Sequence, residues 1–133
     1  MRNMNQKIVL IEDNERNLQL FTAVLELIPN IEILTETRGY KGLDLIKTTI
    51  PHLIILDVDL PEINGIDICI ELRKLEKFKK TPILAVTSFA MKGDKERIMQ
   101  AGFNEYFSKP IKISEFRLAV KNYLEKGTSG TLD

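Results

Sequence analysis

Along the chain, short runs of Ile, Leu and Val alternate with longer stretches in which apolar residues return every three or four positions. The short runs are Lys7–Ile11, Ile31–Thr35, Leu53–Leu56, Ile83–Thr87 and Tyr106–Phe107. They read as strands covered on both faces, because a strand with one wet face would alternate apolar with polar. The longer stretches read as amphipathic helices. Asn14 to Ile28 brings Leu18, Phe21, Leu25 and Ile28 to one side and stops at Pro29, and Gly39 to Thr49 pairs Leu43 with Ile46 and ends before Pro51. Gly65 to Leu75 aligns Ile68, Leu72 and Leu75. Lys92 to Ala101 is mostly polar and meets a glycine cap at Gly102. Ser114 is placed to cap a last helix through Glu125, with Phe116, Val120, Tyr123 and Leu124 inward.

A strand–helix unit repeated five times predicts an α/β fold, a parallel five-stranded sheet with helices on both faces. Right-handed crossovers leave few topologies, and the flavodoxin-like doubly wound (βα)5 order 2-1-3-4-5 is the commonest. Its ligand sites lie at the carboxyl ends of the strands, beside the switch point between strands 1 and 3. One domain uses nearly all of the 133 residues: 1–126 are assigned to it, and the Gly/Ser/Thr-rich tail 127–133 is expected to fray. On this reading nothing remains to build an output domain.

Composition narrows the function classes. Lys plus Arg and Asp plus Glu both number 19, so the balance is neutral and disfavours a basic nucleic-acid binder. With 44% hydrophobic residues the chain is not an acidic disordered one. The lone Cys69 forms no internal disulfide and leaves no room for a cysteine-based zinc site; it reads as core filling. No secretory signal or membrane-length apolar run is present, so a reducing cytoplasmic location is expected.

The strand ends carry the chemistry. Strand 1 runs out into Glu12-Asp13, strand 3 into Asp57-Val58-Asp59-Leu60-Pro61, strand 4 into Thr87-Ser88 and strand 5 into Ser108-Lys109-Pro110. With strands 1 and 3 adjacent, Glu12, Asp13 and Asp57 crowd together. Two like charges about 4 Å apart repel by about 4 kcal/mol at an effective dielectric of 20. Either one carboxylate takes a proton, or a divalent cation binds; oxygen-only ligands favour Mg²⁺. Lys109 supplies an ammonium and Thr87 a hydroxyl on the other sides of Asp57. A carboxylate flanked by a metal, an ammonium and a hydroxyl is arranged to hold the three oxygens of a phosphoryl group, which makes this an aspartyl-phosphate site.

Taken together, Glu12-Asp13, Asp57 with Leu60-Pro61 and Gly65, Thr87, and Lys109-Pro110 resemble the receiver domain of two-component response regulators, the CheY-like fold, over Lys7 to Lys126. The stretch Val86–Arg97 and Tyr106–Ile111 further resembles DivK-like single-domain regulators and the receivers of hybrid histidine kinases. The resemblance implies Asp57 as phosphoacceptor. It implies Mg²⁺, or Mn²⁺, held by Glu12, Asp13, Asp57 and the backbone carbonyl of Asp59. Thr87 and Lys109 would bind the phosphoryl group, the bond preceding Pro110 would be cis, and Thr87 with Tyr106 would form a switch. Asn14, Asn17, Leu18, Pro110 and Ile111 would meet the partner, a sensor histidine kinase or histidine phosphotransfer protein. A downstream protein target would dock on the face of helix 4, strand 5 and helix 5, with no nucleic acid or membrane and with the chain a monomer or weak dimer. Asp59 and Phe89, at the mouth of the site, would tune phosphoryl lifetime. Such a domain assists its own phosphorylation and dephosphorylation but turns over no separate substrate.

Other readings account for less. Asp13 or Asn14 alone could cap a helix, Gly65 relieves crowding at a helix start, and His52 at the start of strand 3 is structural. Gly39-Tyr40-Lys41-Gly42 lacks a phosphate-loop pattern. The four residues Glu12 to Glu15 would repel a flavin phosphate. A phosphohydrolase using Asp57-Val58-Asp59 as a DxD pair, or a Toprim-like metal nuclease, leaves Thr87 and Lys109-Pro110 unexplained. A receiver excised from a hybrid kinase is the nearest alternative.

Overall fold

The computed structural model describes residues 5–88 and 92–127; the expectations for Phe89 and for the tail beyond Gly127 lie outside the described residues. A parallel sheet is built from β1 (Gln6–Ile11), β2 (Ile31–Glu36), β3 (Leu53–Asp57), β4 (Ile83–Thr87) and β5 (Glu105–Ser108). The order is β2-β1-β3-β4-β5, as the alternation of elements predicts. The crossovers are α1 (Glu15–Leu25), α2 (Gly39–Thr49), α3 (Gly65–Arg73) and α4 (Lys92–Ala101), and α5 (Ile113–Lys126) follows β5.

Successive strand residues feed two different cores, which is why the strands read as unbroken apolar runs. Val9, Ile11, Ile54, Leu56, Ile83 and Ala85 pack with Leu43 and Ile46 of α2, Ile68, Cys69 and Leu72 of α3, and Ile98 of α4. Their neighbours Ile8, Leu10, Leu53, Ile55, Leu84 and Val86 face Phe21, Val24 and Leu25 of α1 and Phe116, Val120 and Leu124 of α5. Cys69 is wholly buried, and burial pushes its thiol up to about 11, so it behaves as a small apolar residue. His52 Nδ1 accepts from the Lys7 amide at 2.9 Å, tying β3 to β1 at the edge opposite the acidic strand ends.

Several boundaries differ from the sequence reading. α1 ends at Leu25, and Glu26 to Ile28 continue as turns while Ile28 stays buried. α3 ends at Arg73 and is followed by a 3-10 turn, Glu76–Phe78, whose Phe78 is wholly buried. Ser114 is not a cap: α5 already begins at Ile113, with Lys112 in the capping position and no side-chain hydrogen bond there.

The sequence reading also passed over Arg73. From the end of α3 its guanidinium donates to the carbonyls of Gly102 (3.0 Å), Phe78 (2.6 Å) and Thr81 (2.8 Å) and to Asn104 Oδ1 (3.0 Å). Asn104 Oδ1 in turn accepts from the Ile83 amide at 2.8 Å, at the start of β4. One side chain thus binds both of the loops entering β4 and β5 through their carbonyls. Arg73→Met keeps the apolar stem and removes every donor. It is expected to lower the unfolding free energy by about 2–4 kcal/mol in urea denaturation, and a loss below about 0.5 kcal/mol would show that these bonds do not hold the loops.

Candidate functional site

In the β1–β3 register Ile11 faces Leu56, so the next residues, Glu12 and Asp57, emerge side by side at the carboxyl edge. Both are buried, at 0% and 2% exposure, and Thr87 at the end of β4 is 1% exposed. No other polar or charged residue among the described residues is buried to this degree. Gly65 explains part of the placement. Its amide donates to the Val58 carbonyl at 3.0 Å, and a Cβ there would collide with the Asp57 carbonyl oxygen. Only glycine lets the start of α3 press on the end of β3.

Lys109 arrives from the other side. Its amide donates to the Thr87 carbonyl at 2.8 Å, fixing the chain as it leaves β5, and the peptide bond to Pro110 is cis. The ammonium lies 3.2 Å from Glu12 Oε2 and 3.3 Å from Asp57 Oδ2. Asp57 Oδ1 accepts from the Asp59 amide at 2.9 Å. Glu12 Oε2 also receives the Asn14 amide at 3.2 Å and the Asn17 carboxamide at 3.5 Å, whereas Glu12 Oε1 is buried with no partner among the described residues. Oxygens of Glu12, Asp13 and Asp57 lie within 4.8 Å of one another, with Asp13 exposed. The Asp59 carboxylate is outside this cluster and faces the Ser88 amide at 3.4 Å.

These contacts leave an excess of negative charge in a dry place. Burial raises the proton affinity of Asp57 most, and the charge of Glu12 adds to it. The Asp59 amide and Lys109 oppose the rise, and the carboxyl settles at about 7. Burial alone would lower Lys109, but the charges of Asp57 and Glu12 outweigh it and hold the ammonium above its ordinary value. The all-oxygen donor set and the unpartnered buried Glu12 Oε1 fit a hard divalent cation that would neutralise the excess.

Other candidate residues surround this centre. Thr87 lines a cavity of about 140 Å³ with Val58, Asp59, Asp94, Arg97 and Ile98. Asp94 and Arg97 pair at 3.0 Å across one turn of α4; their i,i+3 spacing was a signal that the sequence reading passed over. Tyr106 is half-buried, level with Ala85 across the β4–β5 register, and packs on the same core as Ala85. It therefore shares the sheet face of Thr87, with the Lys95 ammonium 5.7 Å from its ring centre. Asn14 caps α1 through the Asn17 amide at 2.9 Å. Leu18 and Ile111 pack half-buried on the α1–α5 core, and Asn14 and Pro110 are exposed.

Comparison with known proteins decides the family: the model of the response regulator receiver domain matches residues 8–121. The chain is a member of the response regulator receiver family. The polar-differentiation response regulator DivK of Brucella ovis is 40% identical over 121 residues, covering 91% of this chain and 98% of that protein. The receiver domain of a sensor histidine kinase from Pseudomonas aeruginosa, solved with a magnesium ion coordinated in its active-site cleft, is 29% identical. It superposes with a TM-score of 0.82 and covers 91% of this chain and 98% of its own. A chemotaxis response regulator of Vibrio cholerae, 22% identical and covering 91% of this chain and 99% of its own, shares the fold at a TM-score of 0.80. Receivers are signalling regulators, and accepting a phosphoryl group is general to the family. No helix among the described residues of this receiver is long and apolar enough to cross a membrane.

The raised proton affinity of Asp57 has a thermodynamic consequence. Its value of about 7 in the folded chain lies above the ordinary carboxylate value of about 3.9 in the unfolded chain, so the native state holds the proton more tightly. The stability this contributes is complete below the unfolded value and is lost as pH rises through the folded one. In metal-free protein, Asp57→Asn is expected to be more stable than wild type by a margin that widens between about pH 4 and pH 7. Thermal melts of both proteins in chelator across that range check this, and a constant or shrinking margin would contradict it.

Proposed function

We propose that this receiver works as a DivK-like response regulator in which Asp57 accepts a phosphoryl group from a phosphohistidine and the modified domain changes its protein contacts. The observation that carries the reading is the buried Asp57 carboxylate at the end of β3, bonded to Lys109 and grouped with Glu12 and Asp13. The 40% identity to a DivK over nearly the whole of both chains supports the same reading.

In the transfer step an Asp57 oxygen attacks phosphorus as the phosphorus–nitrogen bond breaks, and the donor imidazole keeps the bonding electron pair. Ionised Asp57 is the nucleophile. Lys109, already 3.3 Å from that carboxylate, stabilises charge on the phosphoryl oxygens, and the Thr87 hydroxyl donates to one of them. Mg²⁺, held by Glu12, Asp13, Asp57 and the Asp59 carbonyl, would neutralise the same oxygens. Asn14, Asn17, Leu18, Pro110 and Ile111 form the rim that the histidine-bearing protein touches. Water later attacks the aspartyl phosphate and restores Asp57, so the domain limits its own signal without turning over another substrate.

The proposed switch uses Thr87 and Tyr106, which share a sheet face in the β4–β5 register. A charge-assisted hydrogen bond from Thr87 to the phosphoryl group, worth about 1.5–3 kcal/mol, draws Thr87 toward Asp57. Space opens on the face that Thr87 shares with Tyr106, whose ring moves in and reshapes the α4–β5–α5 surface for a protein target. A bond of this size shifts the active population about ten- to a hundredfold, short of the roughly 5.5 kcal/mol of a complete switch.

Acetyl phosphate with Mg²⁺ is expected to add one alkali-labile phosphoryl group, seen by intact-mass spectrometry. Asp57→Asn and chelator should each abolish it. Wild-type protein that stays unmodified while a control receiver labels would refute the proposal. Thr87→Ala is expected to accept the group, more slowly, yet to leave Tyr106 unchanged in NMR spectra recorded before and after phosphorylation. A wild-type-like spectral change in phosphorylated Thr87→Ala would break the coupling.

A further inference from the structure

Among the described residues, every donor to the Glu12 carboxylate converges on one oxygen. Oε2 receives the Asn14 amide, the Asn17 carboxamide and the Lys109 ammonium at 3.2, 3.5 and 3.2 Å, while Oε1, equally buried, receives nothing. A carboxylate free to turn about its last bond would share its donors between both oxygens. The donors come from different parts of the chain, the first turn of α1 and the loop after β5, so together they fix the plane of the group. The Asn14 side chain binds the Asn17 amide at 2.9 Å, so the same capping turn that starts α1 holds the Asn17 carboxamide over Glu12.

We infer that Asn17 is a positioning residue for the cation: by donating to Glu12 Oε2 it orients the carboxylate so that Oε1 faces the metal site. This rests on the reading of Glu12, Asp13 and Asp57 as the cation ligands. It gives Asn17 a task that its placement on the partner rim does not require, and it uses the length of glutamate. An aspartate at position 12, one methylene shorter, would keep a carboxylate at the strand end but bring it less far toward Asn17. Partners that orient a metal-binding group commonly change affinity by tenfold or more when removed.

The test is a Mg²⁺ titration followed by amide NMR shifts on the full chain, in wild type, Asn17→Ala, Glu12→Asp and the double variant, with melts in chelator to confirm folding. Asn17→Ala is expected to weaken Mg²⁺ about tenfold in the wild-type background and to have little further effect once Glu12 is Asp. An Asn17→Ala affinity within twofold of wild type would overturn the inference and leave Asn17 as a rim residue only. An equal loss in both backgrounds would also overturn it, because Asn17 would then act other than through Glu12. Wild-type protein that binds no Mg²⁺ would sink the cation-site reading itself and this inference with it.

Discussion

Two buried carboxylates at the ends of neighbouring strands share a single ammonium, and much of the molecule serves to keep them there. Glu12 and Asp57 are withdrawn from water, and Lys109 lies between them at 3.2 and 3.3 Å. Burying two negative charges beside one positive charge opposes folding, since desolvation outweighs what one partner returns. The two apolar cores, filled from both faces of the sheet, supply the stability that offsets it. The cost leaves a trace in Asp57, whose proton affinity burial and the charge of Glu12 raise above the ordinary carboxylate value. An arrangement that is unfavourable when empty is well suited to a cation, which relieves an imbalance of charge already built in.

The placement of this cluster depends on backbone features that carry no charge. Gly65 lets α3 start against the Asp57 carbonyl, and the Lys109 amide is pinned to the Thr87 carbonyl. Arg73, at the far end of α3, satisfies the loops that lead into β4 and β5. The strands bearing Thr87 and Tyr106 are thus held at their entry by a guanidinium and at their exit by the site. Between these anchors the two residues share a sheet face two register positions apart. Lys95 and the Asp94–Arg97 pair place α4 beside the same cavity and ring.

Most of the fold was legible because strands covered on both faces leave unbroken apolar runs, while helices covered on one face leave a three-to-four repeat. The misreadings fall where local pattern and tertiary packing disagree. Ile28 continues the periodicity of α1 and is buried, yet it packs from a turn, so apolar spacing alone extended the helix too far. Ser114 looked like a cap by residue type, but α5 begins one residue earlier. Arg73 gave no signal at all, because its partners lie up to 31 residues away and a lone arginine in a basic stretch looks like a solvated face.

From the sequence by itself come the strand–helix order, the two-sided covering of the sheet, and the set of carboxylates, hydroxyl and ammonium delivered to one edge, since each depends on residues close together in the chain. The tertiary structure decided which oxygen meets which donor. Lys109 and Glu12 are 97 positions apart, and only the folded register brings them to 3.2 Å. How tightly Asp57 holds a proton, and why one oxygen of Glu12 meets no donor among the described residues, follow from burial and from distances across the sheet. These are properties of packing: the energy of a charge depends on what surrounds it in space, and its neighbours along the chain are only part of that surrounding.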